Sequence, residues 1–249
     1  MNFDGSTVVV TGAGGGVGLA VCRRLAESGA AVTMLDIKPP PAEVAEMDNV
    51  DYRQGDVAEE AFVAEVFGEL AARRTAHVRG LVNAAGVLWF DRDCSLLDID
   101  MSVWNRVFDI NLKSMVYTAR HAVPLMRKAG GGAMVHVSST QALRGDDKPQ
   151  DAYQASKAAI LALSKSLAIQ LAADGIRSNV LIPGPTASPM QSRWLDDAGL
   201  KAKTEAVIPL GRVGTPDDMA DAIEFLLSDK STYISGTELL VDGGLLARP

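Results

Sequence analysis

Short apolar runs rich in β-branched residues alternate with longer amphipathic stretches from one end of the chain to the other. The runs Thr7–Val10, Ala31–Leu35, Val50–Arg53, Gly80–Asn83, Met134–Ser138, Ser178–Ile182 and Leu239–Val241 read as strands. They lack polar alternation, as expected of strands covered on both faces. Helical periodicity fills the gaps at Val17–Ser28, Glu59–Arg74, Val103–Lys128, Ala152–Ala173 and Pro216–Leu227. This order predicts an α/β fold, a doubly wound parallel sheet of about seven strands with helices on both faces. No linker or internal repeat divides the chain, so residues 1–249 read as one domain. Two segments break the rhythm: the polar stretch Thr140–Gln150 and the proline-rich stretch Pro183–Arg212. Both follow strand C-termini, where open α/β sheets bind ligands. Loops at about 87–100, 140–151 and 185–212 are therefore expected to meet a substrate.

Composition narrows the classes. Apolar residues make up 47% of the 249 and charged residues 22%, as in a globular protein with a substantial core. No apolar run reaches the roughly 18 residues of a membrane helix, and nothing at the N-terminus resembles an export signal. A net charge of −7 opposes binding to a phosphate backbone, so neither membrane nor nucleic acid is expected as a partner. Cys22 and Cys94 form no CxxC pair and read as reduced, cytoplasmic thiols. His77, His121 and His136 lack the spacing of a metal helix, and no metal is expected.

Thr11-Gly12-Ala13-Gly14-Gly15-Gly16-Val17-Gly18 joins the first strand to the first helix. Glycines there let the backbone approach a pyrophosphate held at a helix N-terminus, although the spacing is not GxGxxG and a plain flexible turn is the alternative. Asp36 ends the second strand, 20 residues after Gly16, where a carboxylate can take ribose hydroxyls or simply form a turn. Asp56-Val57 and Asn83-Ala84-Ala85-Gly86 close the next two strands, and their small residues suit a flat adenine and ribose, or again a turn. Tyr153 and Lys157 share a helix face one turn apart. An ammonium beside a phenol favours the phenolate, which can then take a proton from an alcohol. Taken alone, the YxxxK spacing also arises by chance.

In this order, TGAGGGVG at 11–18, Asp56, NAAG at 83–86, Asn111 within INLKS, Ser138-Ser139, YQASK at 153–157, Pro183-Gly184 and VDGG at 241–244 resemble the classical short-chain dehydrogenase/reductase family over nearly the whole chain. The resemblance implies a Rossmann-type fold, a nicotinamide cofactor and a homodimer or homotetramer, of which the tetramer is expected here. It implies Tyr153 as general acid/base and Lys157 as the group that lowers the tyrosine's pKa and binds ribose. It also implies Ser139 polarising the substrate oxygen and Asn111 holding a water in a proton relay. Cofactor contacts would come from Gly12, Gly16, Val17, Gly18, Asp36, Asp56, Val57, Asn83, Ala84, Gly86, Tyr153, Lys157, Pro183, Gly184, Thr186 and Ser188. The Ser139-to-Tyr153 interval, 14 residues, is one longer than the commonest in the family, and Thr140 would fit the shorter one. Ser188 stands where the family has a threonine. His136, inside an apolar strand, reads as a core histidine.

The function expected is NAD-dependent interconversion of a secondary alcohol and a ketone, a small-molecule substrate. NAD is favoured over NADP because Asp36 offers no positive charge to a 2′-phosphate, although Lys38 lies near. The alternatives are an NADPH-dependent 3-oxoacyl thioester reductase and, in another class, a non-catalytic NAD-binding sensor. Trp89, Gln141, Met190 and Trp194 are the candidate substrate contacts.

Overall fold

A computed structural model describes residues 3–73 and 76–248. Seven parallel strands, β1 (Thr7–Thr11), β2 (Ala31–Asp36), β3 (Val50–Gln54), β4 (Val78–Asn83), β5 (Gly132–Val137), β6 (Ile176–Pro183) and β7 (Glu238–Val241), form one sheet in the order β3-β2-β1-β4-β5-β6-β7. The chain runs outward from β1 to β3, then returns to the other side of β1 with β4. That reversal opens a crevice at the strand C-termini, the usual ligand position in such sheets. The β-branched residues of β1 are buried throughout because helices cover both of its faces.

Helices α1 (Gly16–Glu27) and α8 (Pro216–Leu227) cover one face, packing Val21, Leu25, Met219 and Ile223 into a core with Val8, Val10 and Val135. On the other face α2 (Glu60–Ala72) and α4 (Ser114–Lys128) bury Val63, Phe67, Val123 and Met126 against Val9, Leu81 and Met134. Met115 of α4 and Ile160 of α5 (Asp151–Gln170) close a smaller core with Val180 and Ile182. The predicted span of α8 coincides with the observed one, fixed by Pro216 in its first turn and a Thr215–Asp218 capping box. Arg74, the expected end of α2, lies outside the described residues.

Three elements differ from the sequence expectation. The helix expected at Val103–Lys128 is α3 (Met101–Phe108), a π turn over Asp109–Lys113, and then α4. Apolar periodicity cannot register a single widened turn, and such turns concentrate at functional sites. Helix α5 stops at Gln170, and a 3₁₀ turn over Ala172–Asp174 ends on left-handed Gly175. The irregular stretch after β6 holds α6 (Arg193–Asp196) and α7 (Ala198–Val207) rather than one short helix.

Candidate active site

A cavity of about 900 Å³ opens over the C-terminal ends of the sheet. One end is built by the glycine loop. Gly12 adopts φ +67°, and a Cβ there would stand 2.7 Å from the backbone of Ala85, so only glycine lets β1 meet the turn after β4. Ala85 N–H donates to Thr11 Oγ1 at 3.1 Å, closing the same junction. A Cβ on Gly15, by contrast, would meet only Pro189, at 3.8 Å. That position is open cradle facing the cavity.

Asp36 braces this loop. Its Oδ2 accepts from Gly14 N–H at 2.8 Å and its Oδ1 from Lys38 N–H at 2.9 Å. Tyr52 of β3 donates its hydroxyl to the Lys38 carbonyl at 2.9 Å, so the turn after β2 is held from both sides. Burial and the neighbouring Asp36 charge push the Tyr52 phenol up to about 12. Asp56 reaches the cavity as expected, but its carboxylate is paired with Arg106 of α3, a partner the sequence did not suggest.

Val17, Gly18, Val57, Ala84, Gly86, Pro183, Gly184, Thr186 and Ser188 all line the cavity. Asn83 does not, and its side chain belongs to the interior. Its Oδ1 accepts from Thr118 of α4 at 2.7 Å, and its Nδ2 lies 3.0 Å from His136 Nδ1. His136 Nε2 continues to Ser178 Oγ at 3.2 Å, and Ser178 to Ser164 of α5 at 2.9 Å. This buried chain crosses β4, β5 and β6 and ties the sheet to two helices. Burial pushes His136 down to about 3, so the ring is neutral, and the core reading of His136 is what the geometry shows.

The chemical groups sit where β5, α5 and the π turn converge. Tyr153 is buried and its hydroxyl faces the Ser139 side chain. Burial raises the Tyr153 pKa and the Ser139 contact partly offsets that. Ser139 lies just past β5 and its Oγ also accepts from Gln141 N–H at 3.2 Å, so Ser139, not Thr140, faces the tyrosine. Lys157 Nζ lies 5.8 Å from the Tyr153 ring centre and donates to the Val137 carbonyl at 2.9 Å. Burial lowers its pKa to about 8. Ser138 holds the helix itself, donating to the Lys157 carbonyl at 2.8 Å.

Asn111, on the π turn, grips the backbone of Val87 with both amide atoms, Oδ1 accepting from the N–H at 2.8 Å and Nδ2 donating to the carbonyl at 3.1 Å. Nδ2 also meets Ser156 Oγ at 3.0 Å. A Cβ on Gly86 would stand 3.1 Å from Lys157 Nζ and 3.3 Å from Asn111 Oδ1; Gly86 and Lys157 line the cavity and Asn111 does not. Asn111 thus stands behind the wall, beside the lysine.

The other end of the cavity is lined by Trp89, Gln141, Met190 and Trp194, the four expected substrate residues, together with Phe90, Arg144, Arg193 and Lys203. Arg193 and Lys203 were not singled out in the sequence. Two buried polar atoms here have no partner among the described residues, Gln141 Oε1 and Trp194 Nε1.

A family profile described as enoyl-(acyl carrier protein) reductase matches residues 12–246. The chain belongs to the short-chain dehydrogenase/reductase family. It is 35% identical, with 98% of both chains covered, to cis-4-hydroxycyclohexanecarboxylate dehydrogenase of Sinomonas cyclohexanicum. It is 33% identical to a 3-oxoacyl-[acyl-carrier-protein] reductase of Thermotoga maritima, covering 99% of this chain and all of that one. The solved structure of a short-chain type dehydrogenase/reductase from Mycobacterium ulcerans superimposes with a TM-score of 0.92 at 28% identity, covering 100% of this chain and 92% of that one. The protein is accordingly an oxidoreductase of a family that acts on alcohols and ketones with nicotinamide cofactors. The cavity fits such a cofactor: a glycine cradle at a helix N-terminus for the pyrophosphate, and free acceptor capacity on Asp36 for ribose hydroxyls.

Proposed function

We propose that the protein interconverts a secondary alcohol and a ketone with NAD, using Tyr153 as the general acid/base. The observation that carries this reading is the buried Tyr153 hydroxyl on Ser139, with Lys157 one helical turn away on the same cavity wall. The nicotinamide ring, when bound, supplies the hydride acceptor or donor. In the oxidation direction Tyr153 takes the hydroxyl proton of the alcohol as the carbonyl forms; in reduction it returns that proton. Ser139 donates a hydrogen bond to the same substrate oxygen, stabilising charge that develops there. Lys157, an ammonium one turn away, favours the phenolate form of Tyr153. Asn111 holds the Val87 backbone and keeps Lys157 facing Gly86.

Asp36 supports NAD over NADP, because a 2′-phosphate would meet its carboxylate. The same argument weighs against the NADPH-dependent 3-oxoacyl thioester reaction. A non-catalytic sensor would have no use for the Ser139–Tyr153–Lys157 set. Cys22 and Cys94 are both free thiols, in keeping with a cytoplasmic enzyme. Exposed Val116 on α4 and Leu163 and Ile169 on α5 favour self-association, to a tetramer on this reading.

The test is Tyr153→Phe assayed with NAD and a panel of secondary alcohols. Turnover should fall by about 10²–10⁴, with NAD affinity and melting temperature close to the parent. Activity retained near the parent level would remove Tyr153 from the mechanism. Light scattering that returned a monomer mass at micromolar concentration would remove the tetramer.

A further inference from the structure

Three cations, Arg144, Arg193 and Lys203, gather on the wall at the far end of the cavity. The chain carries a net charge of −7. Many of its arginines are paired: Arg24, Arg53, Arg73, Arg106, Arg127 and Arg212 each meet a carboxylate. At the substrate end, Arg144, Arg193 and Lys203 line the wall, and none forms an ion pair among the described residues. Asp146 is the only described carboxylate lining that end, and its oxygens already accept from Gln141 and Lys148.

Arg193 is the most constrained of the three. Its guanidinium carbon lies over the Phe90 ring, 4.0 Å from the centre, and its Nε donates to Gln191 Oε1 at 3.0 Å. The ring contact and that single bond constrain the fork. Both terminal nitrogens are left without an acceptor among the described residues. Desolvation disfavours its charge and the Asp146 carboxylate nearby offsets this only in part, so an anion arriving at the fork would add to that support. The next residue, Trp194, is itself buried, lines the same cavity and has an indole N–H with no partner. Fork and indole are donors only. They want an acceptor that can take several hydrogen bonds and carries negative charge.

We infer that the alcohol substrate carries a carboxylate, bound by the free edge of the Arg193 guanidinium at the end of the cavity lined by Trp194. A bidentate carboxylate satisfies the fork, and Phe90, Trp89 and Met190 leave apolar wall for the carbon skeleton between that anchor and Tyr153. The inference rests on the alcohol–ketone reading for what lies at the other end of the substrate. The recognition of the anion does not depend on turnover.

The experiment therefore measures binding. Calorimetry on the full chain, with and without NAD, would compare three pairs of probes: cyclohexane-, benzene- and pentanecarboxylate against their carboxamides. In at least one pair the carboxylate should bind about tenfold or more tightly than its amide. Arg193→Gln should bring that ratio close to one, and Arg193→Lys, which keeps the charge without the fork, should retain part of it. Equal affinities in every pair, no binding by any carboxylate, or a preference that survives Arg193→Gln would each overturn the inference. Separately, failure of the chain to oxidise any hydroxy acid or neutral alcohol while still preferring carboxylates would count against the reaction and leave the anion site standing.

Discussion

The carboxylate of Asp93 accepts the backbone N–H of Tyr153 at 2.9 Å and that of Ala152 at 3.2 Å, so a loop 60 residues earlier in the chain caps the helix that carries the proposed general acid/base. The residue at the helix's own cap position, Gln150, makes no side-chain cap, and the start of α5 depends on this long-range contact. Burial raises the Asp93 pKa, while the two amide bonds favour its anion. The adjoining Asp151 side chain returns the contact by accepting from Leu96 N–H at 2.7 Å. Loop and helix therefore locate each other, and on the proposed mechanism Asp93 is a positioning residue for Tyr153.

Replacing Asp93 by alanine strips two helix N–H groups of their acceptor. Loss of a cap costs about 1–2 kcal/mol, and melting should report it. A purely structural role would stop there. A positioning role also lowers kcat while leaving KM for NAD near the parent value, because the glycine loop binds the cofactor independently. Asp93→Asn, which keeps one acceptor oxygen, should recover part of the lost kcat. Equal losses in kcat and in NAD affinity would show general loosening instead.

Lys157 gives a prediction with a defined sign. Its folded pKa is lowered by burial to about 8, from 10.5 for a free lysine. Below pH 8 the folded state bears the full cost of a buried ammonium, and between about 8 and 10.5 the unfolded chain holds more protons, so that cost is relieved as pH rises. Lys157→Met should therefore be inactive yet more stable than the parent at pH 7, by about 1–3 kcal/mol. The advantage should shrink as pH climbs from 8 toward 10.5. Denaturant titrations at pH 7, 8.5 and 10 measure it, and a variant less stable than the parent at pH 7 would contradict the argument.

The strand parity that turns the Asn83 side chain into the interior was present in the sequence. Along β4, Leu81 and Asn83 share a face, and Leu81 packs under α4 with Val123 and Met126. The same parity sets His136 with Met134 on β5, so the two polar residues meet beneath the sheet rather than above its edge. The glycine loop and the Tyr153–Lys157 pair were legible because each is local: a strand-to-helix turn, and one helical turn. Asp93, Arg106 and Arg193 were not, because their partners lie 50 or more residues away or, for Arg193, on a different loop. A lone charged residue in a polar loop carries no sign of where tertiary folding will take it.

Asn83→Ala accordingly tests a structural role. It leaves Thr118 Oγ1 without its acceptor on that residue and His136 Nδ1 without its donor, both buried. An unsatisfied buried group costs about 1–3 kcal/mol, and the melting temperature should fall by that measure. KM for NAD should change by less than about threefold, equivalent to under roughly 0.7 kcal/mol. A large rise in KM with unchanged stability would return Asn83 to the cofactor site.

On the proposed reading, cofactor choice turns on Asp36. Both of its oxygens already accept a backbone N–H, from Gly14 and from Lys38, which fixes the carboxylate's orientation at the end of β2. Each oxygen retains a lone pair for a ribose hydroxyl. A 2′-phosphate brings negative charge to the same place, and unit charges about 4 Å apart repel by roughly 4 kcal/mol at an effective dielectric near 20. Solvent and salt screen an exposed pair, which leaves about 1.4–3 kcal/mol, or roughly tenfold to a hundredfold in favour of NAD. Lys38 could oppose this by turning its ammonium toward the phosphate, but its backbone is held at both ends, N–H on Asp36 and carbonyl on Tyr52, so only its exposed side chain can adjust. Space acts in the same direction, since a Cβ on Gly14 would already stand 2.8 Å from the Asp36 carboxyl carbon and 2.9 Å from the Tyr52 hydroxyl. Asp36→Ala should thus reduce the ratio of kcat/KM for NAD over NADP by about tenfold or more, chiefly by improving NADP. Measuring both cofactors against one substrate at low and high salt checks the electrostatic part, because the parent's preference should weaken as salt rises. A preference that Asp36→Ala leaves unchanged would assign cofactor choice to the shape of the loop instead of its charge.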